Sequence, residues 1–370
     1  MKLLASLSIL LAILSNVSSR PLEAPKLSKR DDCIINTSSF GSISSIQKNC
    51  KTIVVENLTV PKGKTLDLSS LKEGSTVTFK GKTTFEYKEW KGPLIKISGK
   101  KIKVTGKSGH VIDGDGSRWW DGKGGNGGKT KPKFFAAHKM IDSTIEGLNI
   151  KNTPVHCFSI NNVQNLVISG IVLDIKDGDS NGGHNTDAFD VGSSTGVTIK
   201  DSTIYNQDDC LAVNSGNDIT FTNNYCSGGH GISIGSVGGR SNNVVDGVSV
   251  SDCQIVDSDN GVRIKTVYGA TGKVNNVKYE NITLKDIIKY GIVIQGDYEN
   301  GSPTGTPTGG VPITNLTIKN VTGNVKSTGQ NIYILVKNAS KWTWSNVNVT
   351  GASKIKKQCT GIPSGSGASC

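Results

Sequence analysis

Three aspartates and a histidine lie at related intervals in the middle of the chain. Asp187, Asp209 and His230 are separated by 22 and 21 residues, and Asp208 immediately precedes Asp209. Glycoside hydrolysis uses two carboxyl groups: one is protonated and donates to the leaving oxygen, while the other is ionised and activates water or attacks. Because neighbouring carboxylates repel one another, at least one of the three is expected to have a raised pKa and to stay protonated in acid. A charged His230 could hydrogen-bond to the acid and tune its pKa.

Two cations follow the acidic residues one repeat further along the chain. Arg263 offers a planar fork of donors and Lys265 a point charge, and both suit the carboxylates of acidic sugars. A lone aspartate is more often an ordinary polar turn residue, but three carboxylates, a histidine and two cations on one strip favour a functional site. No His/Cys cluster has the spacing of a metal site, so neither a metal nor another cofactor is expected.

The chemistry-bearing residues lie within a repeat of short strands. One set of apolar-x-apolar segments recurs every 21 to 31 residues and begins at Phe158, Phe189, Leu211, Ile232, Val262 and Ile292. A second, interleaved set begins at Leu166, Val197, Ile219, Val248, Val277 and Leu316. Four residues after each start of the second set comes a glycine, aspartate or asparagine, types that tolerate the left-handed backbone of a tight bend. Such repeats, with no helical segment between them, predict an all-β fold, a right-handed parallel β-helix (solenoid).

The repeat also predicts which side chains share a surface. Equivalent positions of successive coils stack ~4.8 Å apart in a parallel β-helix. The position two residues before each start of the first set forms a polar column of His156, Asp187, Asp209, His230, Asn260 and Tyr290. A β-propeller would need blades of ~40 residues with their own signatures, and a β-sandwich would not keep six repeats in register. Residues 42–49, with Ile43 and Ile46 on one face, predict a short helix that caps the open N-terminal end.

The N-terminal segment has the features of a processed leader. A charged start, an apolar run over residues 3–14 and small residues as far as Ser19 are typical of a secretory signal, and the run is too short to span a bilayer. A dibasic Lys29-Arg30 predicts cleavage before Asp31, so residues 1–30 are signal peptide and propeptide and 31–370 one catalytic β-helix domain. Processing removes five cations and one anion and lowers the net charge from +12 to +8. We expect a secreted monomer that meets an acidic polysaccharide, not nucleic acid or membrane.

Eight cysteines in a secreted chain predict disulfides between neighbours in the sequence. The expected bridges are Cys33–Cys50, Cys210–Cys226 and Cys359–Cys370. Cys157 and Cys253 fall in different columns about three coils, or ~14 Å, apart, which exceeds the ~7 Å reach of a bridge; both are predicted to be free, buried thiols. Seven glycosylation sequons follow the leader, at Asn36, Asn57, Asn281, Asn315, Asn320, Asn338 and Asn348.

Short motifs in a fixed order identify a family that this chain resembles. The motifs are Asn185-Thr-Asp187, Gln207-Asp-Asp209, Gly229-His-Gly231 and Arg263-Ile-Lys265, together with Asp113-Gly-Asp-Gly and Trp119-Trp-Asp-Gly-Lys-Gly. They resemble the secreted fungal endopolygalacturonases of glycoside hydrolase family 28, and the likeness extends over essentially all of residues 31–370. Any one tripeptide is a weak signal, whereas four in sequence are a strong one.

The resemblance implies internal hydrolysis of α-1,4-galacturonosyl bonds in polygalacturonate, the de-esterified form of pectin, with inversion and without metal. It implies roles for eight residues: Asp208 as general acid, Asp187 and Asp209 as the pair that activates water, His230 as the residue that keeps Asp208 competent, and Arg263, Lys265, Tyr298 and Asn185 as substrate contacts. Plant leucine-rich-repeat inhibitors of polygalacturonases are expected as possible partners.

Several alternatives remain open at the level of sequence. Stacked coils would bring the carboxyls to ~5 Å, the spacing of retaining enzymes, whereas the family implies inversion. An exo-polygalacturonase or a rhamnogalacturonan hydrolase would share the fold, although the compact mature length favours endo attack. A pectate lyase would need bound calcium and a basic residue, and a non-catalytic binding solenoid would not place carboxylates opposite a polyanion.

Overall fold

The computed structural model describes residues 33–300 and 302–370. The predicted signal peptide and propeptide, and the cleavage position before Asp31, lie outside the described residues. No helix in the described part of the chain is long and apolar enough to cross a bilayer.

Parallel strands wind into a solenoid with three stacks, because each strand pairs with its equivalent one coil later. The first stack contains Leu66–Leu68, Ile95–Lys100, the start of Phe135–Glu146, Phe158–Asn161, Phe189–Gly192, Leu211–Val213, Ile232–Val237, Asn260–Val267, Tyr290–Tyr298 and Gln330–Leu335. The second contains Ile34–Ile35, Thr52–Glu56, Thr76–Lys80, Lys103–Gly106, the end of Phe135–Glu146, Gln164–Ser169, Ser194–Lys200, Gly216–Thr222, the starts of Val244–Val256, Lys273–Ile287 and Ile313–Val325, then Ala339–Ser340 and Thr343–Thr350.

The third stack completes each coil before the chain re-enters the first. It contains Thr59–Val60, Lys82–Phe85, Val111–Asp113, Asn149–Lys151, Val172–Asp174, Thr203–Tyr205 and Tyr225–Ser227, and continues in the ends of the long strands Val244–Val256, Lys273–Ile287, Ile313–Val325 and Thr343–Thr350. The predicted parallel β-helix is therefore confirmed.

The strand register confirms both sets of predicted columns. In the first stack, direct pairing links Phe158, Phe189, Leu211, Ile232, Val262 and Ile292. In the second, it links Leu166, Val197, Ile219, Val248, Val277 and Leu316. The six turn residues that follow have φ between 53° and 62°: Gly170, Asp201, Asn223, Asp252, Asn281 and Asn320. The left-handed bend predicted from residue type is present in every one of these coils.

Aromatic side chains stack inside the coils that carry the acidic residues. The rings of Phe135 and Phe158 lie 4.9 Å apart, and those of Phe158 and Phe189 lie 5.2 Å apart, all fully buried. Removing such a ring from a core costs about 3–5 kcal/mol. This packing holds the strand that begins two residues after Asp187 in place.

A short helix closes the N-terminal end, as predicted. A 3-10 turn, Phe40–Ser42, leads into the helix Ile43–Asn49, which buries Ile43 and Ile46 against the first coils. The Cys33–Cys50 disulfide joins the two ends of this segment. The cap covers apolar side chains that would otherwise be exposed at the end of the solenoid.

The expectation of no helical segment between the repeats is wrong in one coil. A second short helix, Asp177–Asn181, occupies the connection before Phe189–Gly192. Two aspartates in its first turn favour the positive end of the helix dipole, and Gly182, at φ 78°, ends it. The side-chain amide of Gln207 donates from Nε2 to Oδ1 of Asp179 in this helix at 2.8 Å. The helix therefore supports the segment that carries Asp208.

The cysteine predictions are confirmed. Disulfides join Cys33 to Cys50, Cys210 to Cys226 and Cys359 to Cys370. Cys157 and Cys253 are free and buried. The side chains at all seven sequons are at least partly exposed, as glycan attachment requires, and glycosylation itself stays a prediction.

Candidate active site

One cleft on the first stack brings together all eight residues that the sequence singled out. Its lining includes Asn185, Asp187, Asp208, Asp209, His230, Arg263, Lys265 and Tyr298. The acidic residues stand directly before strands of neighbouring coils: the Ala188 amide donates to the Asp209 carbonyl, and the Cys210 amide to the Gly231 carbonyl, both at 2.9 Å. Consecutive positions of the polar column therefore meet in space although they lie about 20 residues apart.

Asp208 and His230 form a hydrogen-bonded pair. Oδ1 of Asp208 lies 2.9 Å from Nδ1 of His230, and Oδ2 accepts from Nδ2 of Asn185 at 2.9 Å. Burial alone would raise the pKa of Asp208, but the hydrogen bond and charge of His230 outweigh burial and lower that pKa. For His230, burial favours the neutral imidazole, yet the bond to Asp208 outweighs it and raises the pKa. In the free cleft the proton of this pair resides on the imidazole.

Asp209 is held by a different set of partners. Its Oδ2 lies 2.6 Å from Nζ of Lys265, and its Oδ1 accepts from Oγ of Ser233 at 2.6 Å. Nearly all of this carboxyl is buried, and burying such a group is costly unless it is paired and hydrogen-bonded. Arg263 approaches Oδ1 only to 3.7 Å. Lys265 is thus committed to Asp209, whereas the Arg263 guanidinium is less committed to an internal partner.

Asp187 is the carboxyl with a raised pKa. Burial raises the pKa of Asp187 well above its usual value, and the charges of Asp208, Asp190 and Asp209 raise it further. Its buried Oδ1 has no hydrogen-bond partner among the described residues, and Nε2 of His156 lies 3.5 Å away. At least one of the three carboxyls was expected to have a raised pKa, and Asp187 has one. Asp208, the expected general acid, is ionised and paired in the free cleft.

Asn185 does more than line the cleft. Its Oδ1 accepts from the backbone amide of Gly125 at 3.0 Å and from the side chain of Asn126 at 3.2 Å, while its Nδ2 donates to Asp208. The backbone of Asn185 is left-handed, with φ 51°. This side chain connects residues 124–133, a loop rich in glycine and lysine, to Asp208. The sequence predicted only a substrate contact at Asn185.

Three residues of the site were not singled out from the sequence. His156 contacts Asp187 and also lies 3.7 Å from Asp190, while Ser233 binds Asp209. Burial raises the pKa of Asp190, and the charge of His156 opposes that rise. His156 belongs to the polar column itself, and Asp190 and Ser233 lie in the column that continues to Arg263, so their positions in the repeat were a usable signal.

Among the residues that the structure describes, two groups of side chains have the spacing to hold a cation. The nitrogen and oxygen atoms of His156, Asp187 and Asp190 lie within 4.8 Å of one another, and the same holds for Asp208, Asp209 and His230. In the second group, Lys265 and His230 already neutralise the carboxylates. That the site works without a metal stays a prediction.

Tyr298 lies at the cationic end of the cleft. The ring centre of Tyr298 is 5.5 Å from Nζ of Lys265 and 6.0 Å from the guanidinium carbon of Arg263. A ring and two cations beside buried carboxyls can bind a sugar face and a sugar carboxylate together. The cleft therefore combines proton transfer groups with anion-binding groups.

Comparison with known proteins agrees with this arrangement. A sequence profile described as glycosyl hydrolases family 28 matches residues 50–370. The chain is 61% identical over 348 residues to a polygalacturonase of Penicillium griseoroseum, covering 93% of this chain and 92% of that relative. It is 59% identical over 346 residues to endopolygalacturonase 1 of Colletotrichum lindemuthianum, covering 94% of each. The solved structure of endopolygalacturonase I from Stereum purpureum, complexed with two galacturonate, matches with TM-score 0.79 and 36% identity, covering 86% of this chain and 95% of that one.

Proposed function

The chain belongs to glycosyl hydrolase family 28, and we propose that its cleft hydrolyses polygalacturonate at internal α-1,4 linkages. One observation carries the catalytic proposal: two adjacent carboxyls have different partners, Asp208 pairing with His230 at 2.9 Å and Asp209 with Lys265 at 2.6 Å. Different environments of this kind separate an acid from a base. The substrate follows from the relatives, which are named as polygalacturonases and endopolygalacturonases.

Asp208 is the proposed general acid. Its partner His230 carries the proton of the pair in the free cleft, because the pKa of Asp208 is lowered and that of His230 is raised. Transfer of this proton from Nδ1 to Oδ1 across 2.9 Å leaves a neutral imidazole and a protonated Asp208. Asp208 then gives the proton to the glycosidic oxygen as that bond breaks.

Asp209 is the proposed base. Lys265 and Ser233 hold its two carboxyl oxygens in place, and a carboxylate in this position can take a proton from a water that attacks the anomeric carbon. Asp187, the neighbour in the polar column, shares that water and orients it. The raised pKa of Asp187 favours a second assignment in which Asp187 is the acid, and the experiment must separate the two.

The test compares Asp208→Asn and Asp187→Asn on two substrates. The first is polygalacturonate, and the second is an oligogalacturonide with a nitrophenol leaving group that needs no proton. We expect Asp208→Asn to lose about 10²–10⁴-fold in kcat on the polymer, to keep its affinity for polygalacturonate, and to lose much less on the activated substrate. Asp187→Asn should lose activity on both. If Asp187→Asn instead regains activity on the nitrophenol substrate, Asp187 is the general acid.

The products of the native enzyme test the reaction itself. An internal hydrolase lowers the viscosity of polygalacturonate well before most reducing ends appear, and inversion gives the β-anomer as the first product in proton NMR. Release of small products from chain ends alone would identify an exo-acting enzyme. Unsaturated, ultraviolet-absorbing products would identify a lyase, and binding without turnover a non-catalytic solenoid.

We also propose that the protein is secreted and acts outside the cell. Three disulfides support this, since such bridges persist in oxidising compartments, and the predicted leader agrees. Plant leucine-rich-repeat inhibitors remain candidate partners, as implied by the family.

A further inference from the structure

A lysine-lined groove continues the cleft on the side away from Arg263 and Lys265. Its lining includes Lys91, Lys129, Thr130, Lys131 and Lys133 together with a turn of glycines, and none of the described residues that line it carries a carboxylate. Gly125 and His156 line both the groove and the cleft. A ligand in the cleft can therefore extend into the groove without leaving the surface of the first stack.

Two of the four lysines hold the loop in place. The buried Nζ of Lys131 lies 2.8 Å from Asp121 and donates to the Lys129 carbonyl at 2.9 Å. Nζ of Lys129 donates to the carbonyl of Arg118 at 2.8 Å. These contacts shape the groove, and the ammonium groups that make them are already occupied.

The other two lysines have no internal charge partner. Lys91 and Lys133 are exposed, and neither forms an ion pair with any residue that the structure describes. Their segments are adjacent, since the Lys133 amide donates to the Lys91 carbonyl at 3.2 Å. The neighbouring acids Asp121 and Glu89 are engaged, Asp121 with Nζ of Lys131 at 2.8 Å and Glu89 with the backbone amide of Thr130 at 3.0 Å. Two cations that form no ion pair with a described residue therefore stand together in the groove, which favours binding of an anion.

Lys133 belongs to the polar column that carries the catalytic residues. The Phe134 amide donates to the His156 carbonyl, and the Cys157 amide to the Asp187 carbonyl, so Lys133, His156 and Asp187 occupy successive coils. Two coils correspond to ~10 Å along the axis. The charge of Lys133 reaches this far: burial raises the pKa of Asp190, and His156 followed by Lys133 opposes the rise.

We infer that Lys91 and Lys133 form an anion-binding subsite for a uronate carboxylate of the same polysaccharide chain, remote from the bond that is cleaved. The inference rests on the proposed function. A polyanion that crosses the cleft passes three buried carboxyls, two of which are paired with His230 and Lys265, and cations on both sides of the cleft attract it. Arg263 supplies the cation on one side, and Lys91 and Lys133 supply the cations on the other side. The subsite acts on long chains only, because a short chain over the catalytic coils does not reach it.

The experiment replaces both cations and varies the length of the substrate. Lys91→Gln/Lys133→Gln is compared with Lys151→Gln/Lys285→Gln, a control that removes the same charge from exposed, unpaired lysines of the third stack. We expect kcat/KM on polygalacturonate to fall about tenfold in the first variant through KM, since each exposed ion pair contributes up to about fivefold. Activity on the shortest oligogalacturonide that the native enzyme cleaves should not change.

Two further readouts separate binding from general damage. The salt dependence of KM on polygalacturonate should weaken in the groove variant but not in the control. On an end-labelled oligogalacturonide long enough to reach the groove, the preferred cleavage position should shift. Equal loss on short and long substrates, or equal effects in both variants, would overturn the subsite while leaving the function intact. If the native enzyme does not cleave polygalacturonate, the proposed function itself fails.

Discussion

Two polar columns run along this solenoid, and the same repeat has given them opposite roles. In the turn column of the second stack, Asn223 donates to Asp201 at 2.7 Å, while Asn281 donates to Asp252 and Asn320 to Asn281, both at 2.9 Å. These side chains are at least partly exposed, and each of the three bonds joins neighbouring coils. In the first stack, the polar column carries buried carboxyls that repel one another.

The difference shows which column of this repeat protein carries its functional residues. In the turn column, polar side chains fit the left-handed bends and hydrogen-bond between coils. Each of these hydrogen bonds adds a modest amount to the stability of the fold. Among the described residues, Oδ1 of Asp187 in the cleft column is buried without a hydrogen-bond partner, and Asp209 forms a buried ion pair with Lys265. An arrangement that is unfavourable for stability and shifts several pKa values marks a functional site.

Asp209→Asn should give the largest contrast between the columns. It removes the proposed base, so kcat should fall about 10²–10⁴-fold, and it leaves the buried ammonium of Lys265 without its anion, which costs about 3 kcal/mol of unfolding free energy. Asp252→Asn, the matched change in the exposed turn column, should keep full activity and shift stability by less than about 0.5 kcal/mol. Chemical denaturation and initial rates measure both. Similar losses in the two variants would mean that the columns do not differ in role.

The pH dependence should reflect the Asp208–His230 pair. Its stabilising contribution is lost as pH rises through the raised pKa of His230, above the ordinary ~6.5, and as pH falls through the lowered pKa of Asp208, below ~3.9. Activity should fall on the alkaline side at the same pKa as the pair loses its proton. His230→Gln should lower kcat and remove this alkaline step, whereas His110→Gln, in a histidine hydrogen-bonded to backbone outside the cleft, should leave its midpoint unchanged. An alkaline step that survives His230→Gln contradicts the assignment.

The smallest effect is expected in the turn column itself. Asn223→Gly removes the bond to Asp201 but tolerates φ 54°, and should cost less than about 1 kcal/mol. Asn223→Ala adds the strain of a left-handed alanine, about 1 kcal/mol more. Both should retain native kcat/KM. If Asn223→Ala unfolds at a higher temperature than Asn223→Gly, the left-handed backbone is not what determines the residue types in the turn column.

Much of this molecule could be predicted from its amino-acid order. Strand side chains alternate and coils stack at a fixed spacing, so aligning the repeats was enough to place Asp187, Asp209 and His230 in one column and to match the turn residues. The disulfide between Cys210 and Cys226 was predictable on a simpler ground, because the two cysteines are only 16 residues apart in the sequence. Local periodicity and a repeating backbone made these inferences possible.

The protonation of the carboxyls could not be read from the same pattern. Asp187 and Asp209 have the same residue type and column, yet Lys265 reaches Asp209 and leaves Oδ1 of Asp187 without a hydrogen bond. The bond from Asn185 to the loop at Gly125 also depends on where a non-repeating segment folds back. Sequence therefore determined the coil, its columns and the set of cleft residues. Tertiary structure alone decided which carboxyl is buried, paired or protonated, because pKa values depend on distances of a few ångströms between side chains from different coils and loops.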